Sequence, residues 1–173
     1  MAAPHDTSNY TIGKGILSFK ATGSASFVDL GNAPTVDLDI KTDFLSHYSS
    51  REGIKTLDLK VPMSREATLK IVLDEIAPEN LAIALYGTHT PGTGGGSPTA
   101  GKVDGFKSKA VTGELKLVGK NDIGKKYEWA FKNVTLAPSG ALKLIGDDWM
   151  EIELEGSVSA DTTGDYFTVT EVI

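Results

Sequence analysis

The stretch that decides the fold of this chain runs from Leu38 to Val61 and reads L-D-I-K-T-D-F-L-S-H-Y-S-S-R-E-G-I-K-T-L-D-L-K-V. Apolar and polar residues alternate at both of its ends, first over residues 36–41 and again over residues 57–61. Because successive strand residues point to opposite faces, each end is predicted as a strand with one buried and one solvent-facing side.

Residues 42–55, between these strands, are predicted as a long loop, since a hairpin needs far fewer residues. The loop contains Phe44, Leu45 and Tyr48 among polar residues. Large apolar side chains on an exposed loop indicate a binding surface, and a partner protein is the expected cover.

The composition is that of a soluble globular protein. The 173 residues predict a single domain over 1–173, with 40% apolar and 23% charged residues. A net charge of −6 and a pI near 5.0 argue against a protein that grips nucleic acid through its phosphates. The absence of cysteine excludes disulfides, thiolate zinc sites and cysteine nucleophiles.

The chain is expected to be made and to stay soluble. Its N-terminus lacks the apolar core of a signal peptide, and no run approaches the roughly 20 apolar residues of a membrane span. Residues 1–13 are polar and without periodicity, so they predict an N-terminal arm that orders only when docked.

Nine or ten strands and one short helix are predicted. The helix is expected over about 78–86, with Pro78 in its first turn and Gly87 as its left-handed cap. Residues 66–74 and 135–145 are predicted as separate strands, the latter with a turn at 138–140. The Gly-rich segment 88–105 is predicted as a mobile surface loop. The fold class is therefore mainly β, a β-sandwich or barrel of two packed sheets with one short flanking α-helix and long loops.

No motif predicts a cofactor, a metal site or a catalytic residue. Residues 96–102 match most of a phosphate-binding loop, but Val103 lacks the hydroxyl that would bind Mg²⁺. His5, His47 and His89 stand alone, without metal-ligand spacing. His47 lies beside serines, but neighbours along a chain do not make a catalytic triad.

The carboxylates and aromatic residues leave alternatives open. Strand alternation places Glu151, Glu153 and Glu155 on one face. This face is interpreted either as an ordinary solvated face or as a functional acidic surface. A third alternative is a paired-carboxylate hydrolase that uses Asp147, Glu151 or Glu153. Tyr127, Trp129 or Trp149 would instead serve a β-sandwich that binds carbohydrate or peptide, which is the alternative function.

Three segments of the chain resemble the tail tube proteins of long, non-contractile-tailed bacteriophages. They are L-G-N-A-P-T-V-D-L-D-I at 30–40, S-H-Y-S-S-R-E-G-I-K-T at 46–56 and A-T-L-K-I-V-L-D-E-I-A-P-E-N-L-A-I-A-L-Y-G at 67–87. The H-Y-S-S-R-E-G segment is the specific part. The resemblance implies a fold related to the type VI secretion tube protein and a non-enzymatic role: hexameric rings stack into a hollow tube through which the genome leaves.

The resemblance also implies the contacts between subunits. The loop at 42–55 is expected to reach the neighbouring ring through Phe44, Leu45, His47, Tyr48, Arg51 and Glu52. The N-terminal arm is expected to form further contacts, as is the C-terminal strand through Phe167, Val169 and Val172. A lumen that repels DNA would need inward-facing carboxylates, and the candidates are Asp37, Asp39, Glu151, Glu153 and Glu155.

The partners implied by the resemblance are further copies of the chain and the tape-measure, tail-terminator and tail-tip proteins. Double-stranded DNA is expected to pass through without sequence-specific binding, and no membrane is involved. The expected location is the virion tail, after assembly in the host cytoplasm.

Overall fold

The computed structural model of this chain describes residues 5–94 and 99–172, which form ten strands and one α-helix. In chain order these elements are β1 (Gly15–Ala21), β2 (Val28–Asp29), β3 (Thr35–Ser49), β4 (Thr56–Leu73), α1 (Pro78–Ala84), β5 (Thr88–Thr90), β6 (Lys102–Asp104), β7 (Val111–Gly119), β8 (Lys126–Pro138), β9 (Ile152–Val158) and β10 (Phe167–Val172). The predicted mainly β fold with one short helix is confirmed.

Eight of the strands belong to one antiparallel sheet, and β5 and β6 form a small separate hairpin. The order in the large sheet is β2-β1-β7-β8-β9-β4-β3, with β10 also paired to β8. No ladder in the described ranges joins β3 to β2 or to β10, so the sheet is not closed. The helix α1 packs against β8 and β9 and against the small hairpin. No helix in the described part of the chain is long and apolar enough to cross a bilayer.

Strand β8 shares one of its edges between two neighbouring strands, and the large sheet packs around one core cluster. Strand β8 pairs with β10 through residues 126–131 and with β9 through residues 134–138. Along β9 every second residue is buried, as the alternating sequence predicts. The core side chains come from both halves of the sheet and include Leu17, Phe19, Leu69, Ile71, Leu73, Leu115, Phe131, Val134, Leu136, Ile152 and Leu154.

The segment 42–55, predicted as a loop, is instead mostly strand. Strand β3 continues to Ser49 and β4 begins at Thr56, so only residues 50–55 form the turn. Separate strands were predicted over residues 57–61 and 66–74, but β4 runs continuously through Pro62. Proline is tolerated there because a shift of register lies opposite it and only β3 pairs with this half of β4.

Three other boundaries differ from the prediction. Strand β8 continues through Thr135 and ends at Pro138, and residues 139–151 contain no strand. The helix ends at Ala84, and Tyr86, not Gly87, adopts the left-handed conformation, with a φ of 47°. The Gly-rich segment 88–105 contains the paired strands β5 and β6, while residues 95–98 lie outside the described ranges.

The N-terminal segment docks on its own chain, at the turn before β8. The hydroxyl of Thr11 donates to the carbonyl of Lys125 at 2.9 Å, and the amide of Asn121 donates to the same hydroxyl at 2.9 Å. Gly124 has a φ of +82°, and a Cβ there would collide with the carbonyl of Tyr10. The predicted arm at 1–13 therefore has an internal contact, and residues 1–4 lie outside the described part.

A buried amide fixes α1 to the sheet. Asn80 is 2% exposed, and its Nδ2 donates to the carbonyl of Leu30 at 2.8 Å and to that of Glu75 at 3.2 Å. The N-cap residue Ala77 supplies no side-chain hydrogen bond to the helix. Asn80 therefore pairs the buried carbonyl of Leu30, whereas the carbonyl of Glu75 also accepts from the backbone amide of Ala77 at 3.0 Å.

We expect Asn80→Ala to lower the free energy of unfolding by roughly 1–3 kcal/mol, because it leaves the buried carbonyl of Leu30 without this donor. Urea unfolding followed by circular dichroism measures the loss. Asn133→Ala is the control, since the Asn133 amide makes a comparable bond to Ala160 in an exposed place. Equal losses in the two variants would contradict the role assigned to Asn80.

The turn between β9 and β10 is built around Asp161. Its Oδ1 accepts from the backbone amides of Thr163 and Asp165 at 2.8 and 3.0 Å, and its Oδ2 accepts from the Lys132 ammonium at 2.7 Å. The Lys132 hydrogen bond, with those from Thr163 and Asp165, lowers the pKa of Asp161 well below its ordinary value of 3.8. The ionised carboxylate therefore holds the turn that leads into β10.

We expect Asp161→Asn to destabilise the protein at pH 7. Because the folded-state pKa of Asp161 is lowered, its contribution is fully present above about pH 5 and is lost progressively as the pH falls below about 4. Urea midpoints of the two proteins, measured between pH 7 and pH 3, should therefore converge toward the acidic end. A difference that stays constant over this range would rule out ionised Asp161 as its source.

Candidate functional site

A two-stranded arm extends beyond the core sheet. Strand β9 pairs with β4 only from Ala67 to Leu73, whereas β3 pairs with β4 along its whole length. Residues 41–66, called the arm below, therefore form a ribbon without a third strand. At about 3.3 Å per residue, the arm is roughly 35 Å long from Glu66 to Thr56.

The arm exposes large apolar side chains. Every residue of β4 from Thr56 to Glu66 is exposed, in contrast to the buried residues that follow on the same strand. Eight large apolar residues of the arm are each at least 41% exposed. They are Phe44, Leu45, Tyr48, Ile54, Leu57, Leu59, Val61 and Met63. A concentration of this size on one element is typical of an interaction surface.

The polar groups of the arm bind largely to one another. His47 Nδ1 lies 2.6 Å from Asp58 Oδ1, and the Ser64 hydroxyl donates to Asp43 Oδ2 at 2.9 Å. The Lys60 ammonium lies 4.4 Å from the centre of the Phe44 ring. These contacts fix the ribbon internally and leave its apolar side chains available.

All six predicted contact residues of segment 42–55 lie on the arm, with Arg51 and Glu52 in its turn. The prediction missed Leu57, Leu59 and Met63 and assigned Leu57, Leu59 and Val61 to a buried strand face. These side chains are exposed because this half of β4 extends beyond β9 and the core, and among the described residues only β3 pairs with it. Their alternation is the same as that of a buried strand, so the sequence contained no signal for the difference.

Four of the five predicted lumen carboxylates share the outer face of the sheet. Val36 and Leu38 pack toward the core, so Asp37 and Asp39 point away from it, and Glu153 and Glu155 alternate with buried residues on β9. Lys70 pairs with both Asp37 and Glu155 across the ladders, so a cation interrupts this acidic face. Glu151 is the residue immediately before β9, so it lies at the N-terminal end of that strand.

The C-terminal strand is partly committed to its own chain. The Phe167 ring lies 6.0 Å from Trp129 and 5.5 Å from Phe131, which makes Phe167 a core contact. Val169 and Val172 remain exposed. Only β8 pairs with β10 in the described residues, so the outer edge of β10 is open.

The catalytic alternative receives little geometric support, and of the aromatic residues named for the binding alternative only Trp149 is exposed, while Tyr127 and Trp129 are partly buried. A cavity of about 390 Å³ adjoins Tyr127 and Trp129, but it is mostly apolar, and the Asn121 amide beside it already bonds to its own chain. Glu151 and Glu153 border one open recess, and both are exposed, whereas a paired-carboxylate hydrolase needs one carboxyl group shielded from water. The described residues contain no cluster of three or more potential metal ligands.

A family model matches residues 10–99, slightly more than half of the chain, and is described as Protein of unknown function UCP028589. The chain belongs to this family. The matched region of the UCP028589 family contains β1 to β5, α1 and the whole arm, and ends before β7. No curated protein matches the chain in sequence.

Several solved structures are similar to this UCP028589 member. A chain of the anti-feeding prophage (AFP) baseplate, determined with sixfold symmetry, has a TM-score of 0.55 at 10% identity, over 99% of this chain and 97% of that chain. A chain of the PVC sheath-tube complex has a TM-score of 0.44 at 13% identity, over 93% of this chain and 90% of that chain. A chain from the tail of an empty GTA particle has a TM-score of 0.42 at 10% identity, over 92% of this chain and 96% of that chain.

The predicted resemblance to tail tube proteins is confirmed as a similarity of fold. The AFP baseplate chain shares this fold over nearly all of both chains.

We expect substitutions on the arm to leave the folded monomer almost unchanged. Leu59→Ala should alter the free energy of unfolding by no more than about 0.5 kcal/mol, because Leu59 is exposed. Leu69→Ala, on the buried half of the same strand, should cost about 2–5 kcal/mol. Urea unfolding of both variants at low protein concentration measures the contrast. Similar losses would mean that the arm packs against its own body.

Proposed function

We propose that this chain is a non-catalytic structural subunit that self-associates into stacked hexameric rings and so builds a tail tube. The observation that carries the proposal is the apolar arm, which no other described element of the chain covers. The fold shared with a chain of a sixfold-symmetric baseplate supports a role in an assembly of this kind.

The arm supplies the contact between successive rings. Complete burial of one large apolar side chain contributes about 1.5–3 kcal/mol, and the arm exposes eight such residues. Association costs several kcal/mol in lost freedom, so only part of this gain remains. Phe44, Leu45, His47, Tyr48, Arg51 and Glu52 are the proposed inter-ring residues, with Leu57, Leu59 and Met63 beside them.

The open edges of the large sheet supply the contact within a ring. Strand β3 has one unpaired edge over its 15 residues, and β10 has another. Unpaired edges of this length promote uncontrolled pairing, and joining them between neighbouring copies removes the risk. If each of six copies contributes about four strands, the shared barrel has roughly 24 strands, and a barrel of that size encloses water.

The acidic balance suits a channel for DNA. Six copies carry six times −6, a formal charge of −36. Asp37, Asp39, Glu153 and Glu155 share one face, with Glu151 at its end, and would repel phosphates if that face lined the lumen. Lys70 limits the negative potential on this face. Genome ejection then needs passage of DNA and no specific binding.

The remaining partners follow from the same role. A tube needs proteins that start it, set its length and end it, so we assign tail-tip, tape-measure and tail-terminator proteins as partners. The proposed location is the tail of a virion or related particle, after assembly in the host cytoplasm. Residues 1–173 act as one tail-tube domain, with 1–13, the arm and 167–172 as its contacts.

We expect concentrated protein, alone or with purified tail-tip proteins, to form long tubes in negative-stain electron microscopy. Tyr48→Ala and Arg51→Ala should shift assembly to higher protein concentration, because each removes a side chain from the proposed ring contact. Phe106→Ser is the control, since Phe106 is 86% exposed and lies outside the arm. A chain that remains a monomer under all these conditions would refute the proposal, and unchanged tube yield in both arm variants would exclude the arm.

A further inference from the structure

A second exposed apolar surface lies in the connection between β8 and β9. Residues 139–151, called the Trp149 loop below, contain no helix or strand. Within the loop, Leu144, Ile145 and Trp149 are 73%, 95% and 89% exposed. The Lys143 ammonium lies 2.8 Å from Asp148 Oδ2, and this ion pair holds the two sides of the loop together. The apolar side chains have no cover within this connection.

The Trp149 loop and the tip of the arm lie at opposite ends of the same long strand. The loop leads into Ile152, which pairs with Leu73 at the C-terminal end of β4. The arm ends beside Thr56, at the N-terminal end of β4. Strand β4 is 18 residues long, so about 55 Å separates its two ends. The two surfaces therefore cannot meet within one copy, but they can meet between copies that follow one another head to tail.

The two surfaces are also complementary in charge. The Trp149 loop contains Lys143 against Asp147, Asp148 and Glu151, which gives a net charge of −2. The turn of the arm, residues 50–55, contains Arg51 and Lys55 against Glu52, which gives a net charge of +1. Neither Arg51 nor Glu151 has an ion pair with another described residue. Each therefore remains available to a partner of opposite charge.

A recess in the Trp149 loop has the composition that a guanidinium requires. It has a volume of about 470 Å³ and is lined by Ala141, Lys143, Asp148, Trp149, Glu151 and Glu153. An indole face attracts a cation, and a carboxylate binds guanidinium through two parallel hydrogen bonds. Arginine satisfies both requirements better than lysine, because its planar group can stack and donate at the same time.

We propose that the Trp149 loop of one copy receives the arm of the next copy, with Arg51 in the recess between Trp149 and Glu151 and with Ile54 against Leu144 and Ile145. This inference rests on the proposed function and identifies the partner surface of the arm. The contact joins two different surfaces, so it can repeat from copy to copy. Because these surfaces lie at opposite ends of β4, the repeat extends along the tube axis.

Charge exchange tests the proposal. Arg51→Glu and Glu151→Arg should each raise the protein concentration needed for half-maximal assembly by at least about tenfold, because each places like charges together. The double variant should recover most of the loss, since the pair is restored in reverse. Lys107→Glu, which makes the same charge change at an exposed residue between β6 and β7, should leave assembly unchanged. Sedimentation velocity measures assembly, and thermal melts confirm that each variant is folded.

Mixing two defective variants tests the direction of the contact. Arg51→Glu keeps its Trp149 loop intact, and Trp149→Ser keeps its arm intact. At a concentration at which the wild type just assembles, each should fail to form tubes alone, whereas the mixture should form assemblies that contain a single junction. Wild-type tubes together with normal assembly of both variants would overturn this inference and leave the proposed function standing. Absence of assembly in the wild type would overturn both.

Discussion

The continuous antiparallel pairing of β3 with β4 is the constraint on which the rest of this structure depends. Between Ala67 and Leu73, β4 lies between β3 and β9 and covers the core, and between Thr56 and Glu66 its only partner is β3. The same ladder therefore builds the body and carries the arm. A flexible loop over residues 42–55 would lose conformational entropy when it docked, which would weaken binding. In the paired ribbon most of these residues are already ordered in the folded monomer, so docking loses less entropy.

The body and the arm divide the apolar residues between stability and association. The core contains Leu69 and Leu73 of β4 and Leu154 of β9, all almost fully buried. The arm keeps its apolar residues in solvent, where they add little to folding. Internal polar contacts, such as that of His47 with Asp58, and a net charge of −6 oppose indiscriminate aggregation before the correct partner binds.

Much of the fold could be predicted because strand alternation is a local property. The pattern Ala67, Leu69, Ile71, Leu73 placed these side chains on one face, and all four are buried. The helix was expected from Pro78 and its apolar face, and it begins at that residue. Boundaries were less accurate where backbone pairing outweighed local signals. Pro62 did not end β4, since an open edge and a register shift accommodate it, and Tyr86 took the left-handed conformation expected of Gly87.

The sequence by itself determined which residues are strand, which alternate and where apolar side chains sit in a polar neighbourhood, as Phe44, Leu45 and Tyr48 do. Only the tertiary structure decided that Leu57 and Leu59 are exposed while Leu69 and Ile71 are buried, although both pairs alternate in the same way. The physical reason is that burial depends on what the rest of the chain packs against the strand. The half of β4 that contains Leu69 pairs with β9 and faces a core built with side chains of β1, β7 and β8, whereas among the described residues only β3 pairs with the half that contains Leu59.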